Sequence, residues 1–165
     1  MVYSIKNPKG EITMSLMVPG QETKYKNGDV IFMYNTSGET TCQMYYDKHW
    51  FVGRAKCLPE DEDMWSERTG STLAEIKANI KRLRYMRART REEMKPLTLF
   101  ESRLKCCKGY NHESVEARRL RKEIWLYKDK IQEITNAIND EEAYLKRYIA
   151  EKDNLYVKIR AKRSN

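Results

Sequence analysis

The chain is poor in the residues that build catalytic and metal sites. Its 165 residues include only two histidines, His49 and His112, and four cysteines, Cys42, Cys57, Cys106 and Cys107. No two cysteines have CxxC spacing, so a zinc site would have to gather distant thiols with a histidine, against the usual ligand spacing. GxSxG, HExxH, a P-loop and a GxGxxG after a strand are all absent, which removes the common signatures of hydrolases, zincins and nucleotide-binding enzymes. The carboxylate cluster Glu60-Asp61-Glu62-Asp63 lacks the spaced pattern of a calcium loop and reads as solvated acids placed ahead of a helix start. The expectation is no catalytic residue, no metal, no cofactor and no enzymatic activity.

Long apolar runs are missing too. No stretch is long enough to span a bilayer, and the opening MVYSIKNPKG is polar, without the apolar core of a signal peptide. A cytoplasmic protein with free thiols and no membrane partner is expected, with one thiol of the vicinal pair Cys106-Cys107 packed and the other exposed.

What the chain has in excess is positive charge, +8 overall with a sequence pI near 9.3. The excess is local. Residues 59–76 carry 1 basic and 6 acidic residues, and residues 77–110 carry 11 basic and 3 acidic. The run KANIKRLRYMRARTR, Lys77–Arg91, holds seven Lys or Arg and no acid. Such a balance favours nucleic acid, anionic lipid or an acidic protein as partner.

Up to residue 58 the pattern is that of short strands. VYSIK is followed by the turn NPKG, and Ile12, Met14, Leu16 and Val18 alternate up to Pro19-Gly20. Asn27-Gly28-Asp29 turns into VIFMY, Thr36-Ser37-Gly38 into TTCQMYY, and Asp47-Lys48 leads toward FVGRAKC. About five strands in an antiparallel meander are expected over 1–58. Gly53 inside the last strand marks a bulge or a close backbone approach. Tyr45, Tyr46, Trp50 and Phe51 are expected mostly in the core, with Tyr46 and Trp50 as candidate stacking residues beside Lys48, Arg54 and Lys56.

An acidic linker, 59–70, then gives way to helix. Thr72 and Glu75 have capping-box spacing. Leu73, Ile76, Ile80 and Leu83 begin a seam that runs through Arg87, Thr90, Met94 and Leu97, over a helix from 71 to 108. Pro96 is expected to kink or interrupt it. Gly109 is a helix stop and Asn111 a cap for a second helix, 112–162. On that helix Leu120, Ile124, Tyr127, Ile131, Ile134, Ile138, Leu145, Tyr148, Leu155 and Ile159 keep one heptad frame, interrupted by Glu141 and Lys152. Folding back at Tyr110-Asn111 pairs Leu73 with Tyr148, Ile80 with Glu141 and Leu83 with Ile138. The fold class is therefore α+β, an N-terminal antiparallel sheet followed by an antiparallel helical hairpin or coiled coil. Pairing of the 120–159 heptad with a second copy is the alternative.

The segment Val52–Gly70 has further features. Gly53, Ala55 and Cys57 end a strand, Pro59, Asp61 and Asp63 lie in the acidic linker, and Gly70 precedes a helix. In these residues it resembles a segment of small uncharacterised proteins of Gram-positive bacteriophages. The resemblance covers about 20 of 165 residues. It implies a phage or mobile-element setting, whose small accessory proteins include inhibitors of host defence such as anti-CRISPR proteins. No activity comes with it.

Three functions fit the sequence. One is a non-enzymatic inhibitor that binds a host nucleoprotein, such as a Cas effector, in the bacterial cytoplasm. Another is a phage nucleic-acid-binding protein of weak sequence specificity, since phosphate contacts position without reading bases. The third is a coiled-coil assembly protein whose charges keep it soluble. The candidate contact residues are Lys77, Lys81, Arg82, Arg84, Arg87, Arg89, Arg91 and Lys95, with Trp125, which lies off the seam, as a further contact. Lys81 and Arg82 face the acids Asp140-Glu141-Glu142 in the paired register, so the Arg84–Arg91 half is the stronger candidate for binding DNA, RNA or a protein partner.

Overall fold

The computed structural model describes residues 3–6, 12–15, 27–34, 39–57 and 66–163. In order these form β1 (Tyr3–Lys6), β2 (Ile12–Ser15), β3 (Val30–Tyr34), β4 (Glu39–Tyr46), β5 (His49–Lys56), α1 (Glu67–Lys105) and α2 (Val115–Arg163). The class is α+β, an antiparallel sheet followed by two long helices. The strands lie in the order β2-β1-β3-β4-β5. β3, β4 and β5 supply sheet residues to the described core, and β1 and β2 are four-residue segments beyond the β3 edge. The sequence predicts about five strands in a meander; the sheet that carries the described core is three-stranded, β3-β4-β5, and β1 pairs with both β2 and β3, which a meander does not do. The expected turns at NPKG, Pro19-Gly20 and Thr36–Gly38, and the acids Glu60–Asp63, lie outside the described residues.

The chain forms two compact units. Unit 1 is Met1–Arg82 with Glu141–Asn165, and unit 2 is Leu83–Asp140. Each contains a part of both helices, so the division does not fall at the change of composition near residue 58.

In unit 1 the core follows from strand alternation. Thr40, Cys42 and Met44 of β4 are buried, as are Gly53 and Ala55 of β5. They pack with Val30 and Phe32 of β3 against Ala74 and Ala78 of α1, both fully buried. The fit is backbone to backbone. A Cβ on Gly53 would lie 1.9 Å from the Ala74 carbonyl oxygen and 2.6 Å from the Ala78 nitrogen. Gly53 pairs with Cys42 in an unbroken β4–β5 register, so its role is the close approach and not a bulge. Small residues at this contact leave little room for aromatics. Tyr45, Tyr46, Trp50 and Phe51, most of which the sequence reading places in the core, are half-buried, and Phe32 is the aromatic side chain buried in this cluster. The β4–β5 turn places Asp47 and Lys48 at φ 51° and 64°, and Asn27 Oδ1 accepts a 2.8 Å hydrogen bond from the Asp47 N–H.

Helix α1 begins earlier than Thr72. Ser66 is its cap, accepting the Thr69 N–H at 3.2 Å, while the Thr72 hydroxyl donates back to the Arg68 carbonyl at 2.8 Å. Tyr34 joins this end to the sheet by a 2.9 Å hydrogen bond to the Ser71 hydroxyl. Pro96 does not interrupt α1, which continues to Lys105. A proline removes one main-chain donor, and the helix is held on either side of it by its remaining bonds. The ending is tightened by Cys106 N–H to Arg103 O and Cys107 N–H to Leu104 O, at 3.1 and 3.0 Å. Gly109 then takes φ +87°. Asn111 closes a local turn onto the Glu113 N–H, and Ser114, accepting the Ala117 N–H at 3.1 Å, is the cap of α2. Cys106 and Cys107 are both exposed, a consequence of lying in this tight exit and not on a packed helix face.

Along α2 the residues of the heptad frame are buried or half-buried through Tyr148, and the frame slips at Leu155. Leu155 is exposed and its neighbour Tyr156 is buried. An α-helix has 3.6 residues per turn, so a seam spaced at 3.5 slips one position over several turns. Among the described residues no helix is long and apolar enough to cross a membrane.

In unit 2 Leu83 packs in one cluster with Ile134 and Ile138, flanked by Met86 and Ala137. The helices are joined at 106–114, so contact this far from the turn means that they run antiparallel here. Ala117, Leu120 and Ile124 of α2 and Thr90 of α1 are also buried. The Thr90 hydroxyl is satisfied by the Met86 carbonyl at 2.9 Å.

Candidate functional site

The basic run does not form one surface. In unit 1, Lys77 and Lys81 reach the sheet, their ammonium groups donating to the carbonyls of Arg54 at 3.0 Å and Val52 at 2.6 Å. Arg82 is held on both sides. Its Nε and Nη2 donate to Asn79 Oδ1 at 3.1 and 2.7 Å, and its guanidinium lies 5.7 Å from the centre of the Tyr46 ring. Asn79 in turn donates to Glu141 Oε1 at 2.7 Å. Glu141, a break in the apolar seam, is thus the acceptor for a polar chain across it. Trp50 tilts against Tyr45, ring centres 5.0 Å apart. These five candidates, Lys77, Lys81, Arg82, Tyr46 and Trp50, are all engaged within unit 1.

Unit 2 presents the other half of the run, and its organising rule is helical geometry. A residue one step after a seam position lies about 100° round the helix. In an antiparallel pair, positions displaced in the same sense from the seam fall on the same side of the hairpin. On α1 the seam passes Met86, which packs on the Leu83, Ile134 and Ile138 cluster, and not Arg87 as the sequence spacing predicts; the seam residues Leu83, Met86, Thr90, Met94 and Leu104 are followed by Arg84, Arg87, Arg91, Lys95 and Lys105. On α2 Ala117, Leu120, Ile124 and Tyr127 are followed by Arg118, Arg121, Trp125 and Lys128. The remaining positions after the seam in unit 2 are Thr98, Ser102, Gln132, Thr135 and Asn139. One side of the hairpin therefore carries eight cations, Trp125 and no acid.

The opposite side, one step before the seam, is different in kind. It carries Arg89, Arg103, Arg119 and Lys130 with Glu93, Glu116, Glu123 and Glu133, four of each sign. Arg89 and Glu93 are paired at 3.2 Å. Of the sequence candidates, Arg84, Arg87, Arg91, Lys95 and Trp125 share the basic side, and Arg89 does not.

Some of the basic side is internally engaged. Lys95 pairs with Glu92 at 2.6 Å and Lys105 with Glu101 at 2.9 Å, both along their own helix. Arg121 donates to the His112 and Ala117 carbonyls and secures the start of α2. The Lys95–Glu92 pair is exposed on both sides and weakly held, whereas Glu101 is largely covered. Arg84, Arg91, Arg118 and Lys128 are exposed, and Trp125 is 60% exposed. Chemically the side can neutralise a row of phosphates and offer one aromatic face. Reading the basic run along the chain missed Lys105, Arg118, Arg121 and Lys128. The heptad frame held the signal that finds them, because each stands one residue after a seam position.

No group of three or more His, Cys, Asp or Glu among the described residues is placed to hold a metal ion. The chain matches no known protein-family model, and neither a characterised protein nor a solved structure shows significant similarity to it.

Proposed function

We propose that this is a non-enzymatic binding protein that engages the nucleic-acid component of a nucleoprotein through the basic side of unit 2. The observation that carries the reading is the asymmetry of the hairpin, eight cations and an exposed Trp125 without an acid on one side against four cations and four acids on the other. Random solvation of a helix pair has no reason to sort charge by side, whereas a polyanion facing one side does.

The phage-type segment Val52–Gly70 makes a host-defence nucleoprotein in the bacterial cytoplasm, such as a Cas effector, our proposed target, with inhibition as the outcome. Co-purification with candidate effectors and their cleavage rate at saturating protein test this. Normal cleavage across effector types ends the inhibitor reading and leaves a phage nucleic-acid-binding protein, which a mobility shift on plain nucleic acid detects.

A second reading, assembly through a coiled coil, draws on different residues. Leu99, Phe100 and Leu126 of unit 2 are more than half exposed, and the Leu120–Ile138 seam keeps heptad spacing. Light scattering decides it, since a strict monomer over a wide concentration range leaves no homo-oligomer.

A further inference from the structure

We infer that the nucleic acid held by this side is single-stranded, with Trp125 as the platform for an unpaired base. The inference rests on the binding function proposed above and adds the class of ligand.

Trp125 is the only aromatic residue among the positions that follow the unit 2 seam, and it stands amid the cations of that side. On its own helix Lys122 lies three residues before it, Arg118 seven before and Lys128 three after; of the two acids within about a turn, Glu123 and Asp129, Glu123 stands one step before the seam, on the opposite side. Across the hairpin, equal steps toward the turn from the Leu83–Ile138 contact bring Pro96 level with Trp125, which places Lys95 and Arg91 beside it. The indole is 60% exposed and makes no hydrogen bond or ring contact with any described residue. Tyr45, Trp50, Tyr144 and Tyr148, by contrast, have ring partners.

An indole in this setting has an open π face and cations within one helical turn. A base inside a duplex has both of its faces covered by neighbouring pairs, so an indole reaches it only by unstacking the helix. An unpaired base has a free face, stacks without that cost, and leaves its flanking phosphates to the neighbouring cations. Phosphate neutralisation alone needs no aromatic residue.

The test is fluorescence anisotropy with a labelled oligo(dT) and with a duplex of the same length, on the whole protein and on the variants Trp125→Ala and Trp125→Phe at one ionic strength. The expected result is tighter binding of oligo(dT) than of duplex. Trp125→Ala should lose about ten-fold or more on oligo(dT), Trp125→Phe should keep most of the affinity, and duplex binding should be unchanged in both. Duplex binding as tight as oligo(dT) binding, or an equal loss on both probes, overturns the single-strand inference and leaves the binding function standing. Binding to neither probe removes both.

Discussion

The Lys81 ammonium donates a 2.6 Å hydrogen bond to the main-chain carbonyl of Val52, and four residues earlier Lys77 does the same for Arg54. β5 is the last strand of the sheet, so both carbonyls face outward with no strand beyond them among the described residues. Open strand edges invite pairing with another chain, and lysines are a common guard. These two cations therefore close an edge.

Replacing both, Lys77→Ala with Lys81→Ala, should reduce stability modestly, by at most about 1 kcal/mol for each solvent-facing amine. The larger effect should be on association, with higher-order species appearing in size-exclusion chromatography. Nucleic-acid affinity should change less than with a loss of the same charge from Arg84 and Arg91. An equal or greater loss of affinity would show that the lysines contact ligand after all.

A second prediction concerns Gly53. Its alanine variant must push the α1 main chain off the sheet, because the added Cβ would meet the backbone of Ala74 at 1.9 Å and no side-chain rotation relieves that. Overpacking costs about 1–3 kcal/mol and more where backbone must move. A lowered urea midpoint in chemical denaturation is the readout, and an unchanged midpoint would contradict the described contact.

The sidedness of unit 2 gives a matched pair of variants. Arg84→Glu with Arg91→Glu reverses two charges on the basic side, and Arg89→Glu with Arg103→Glu reverses two on the balanced side. The change in net charge is the same. The first pair should lower nucleic-acid affinity by at least about ten-fold and flatten the slope of log affinity against log salt by about 2. The second should have a small effect on both. Similar losses from the two pairs would mean that only overall charge matters.

Asn79 supports Arg82 and Glu141 at once, at 2.7 Å to each. Asn79→Ala should cost about 1–3 kcal/mol in thermal or urea unfolding, since it leaves two part-buried charged groups without their shared partner. Glu141→Gln, which keeps an acceptor oxygen for the Asn79 amide, should cost less.

Much of this architecture was readable from spacing. Apolar residues at steps of three and four marked both helices because such steps return to one face, and the pairing of Leu83 with Ile138 followed from folding the chain at a short turn. Gly53 was legible as a bulge or a close approach, and only its pairing with Cys42 and the nearness of the Ala74 backbone decide for the second. Other features depend on what surrounds a residue. Ser66 and Thr72 are both adequate helix caps, and sequence does not say which has helix before it. The edge role of Lys77 and Lys81 depends on which strand lies last in the sheet. The basic side was hidden because the positive run was read along the chain, while a helix sorts its residues by angle. Arg89, inside the run, faces away from that side, and Arg118, far outside it, shares it with Arg91.

The four cysteines sort by unit in a way that makes the protein its own folding reporter. Cys42 and Cys57 are buried in unit 1, and Cys106 and Cys107 are exposed in unit 2. A thiol-specific chromophoric disulfide added to the native protein should therefore label two sulfurs at once. The other two should react only as fast as unit 1 opens, so the slow phase times the lifting of α1 from the sheet without any introduced probe.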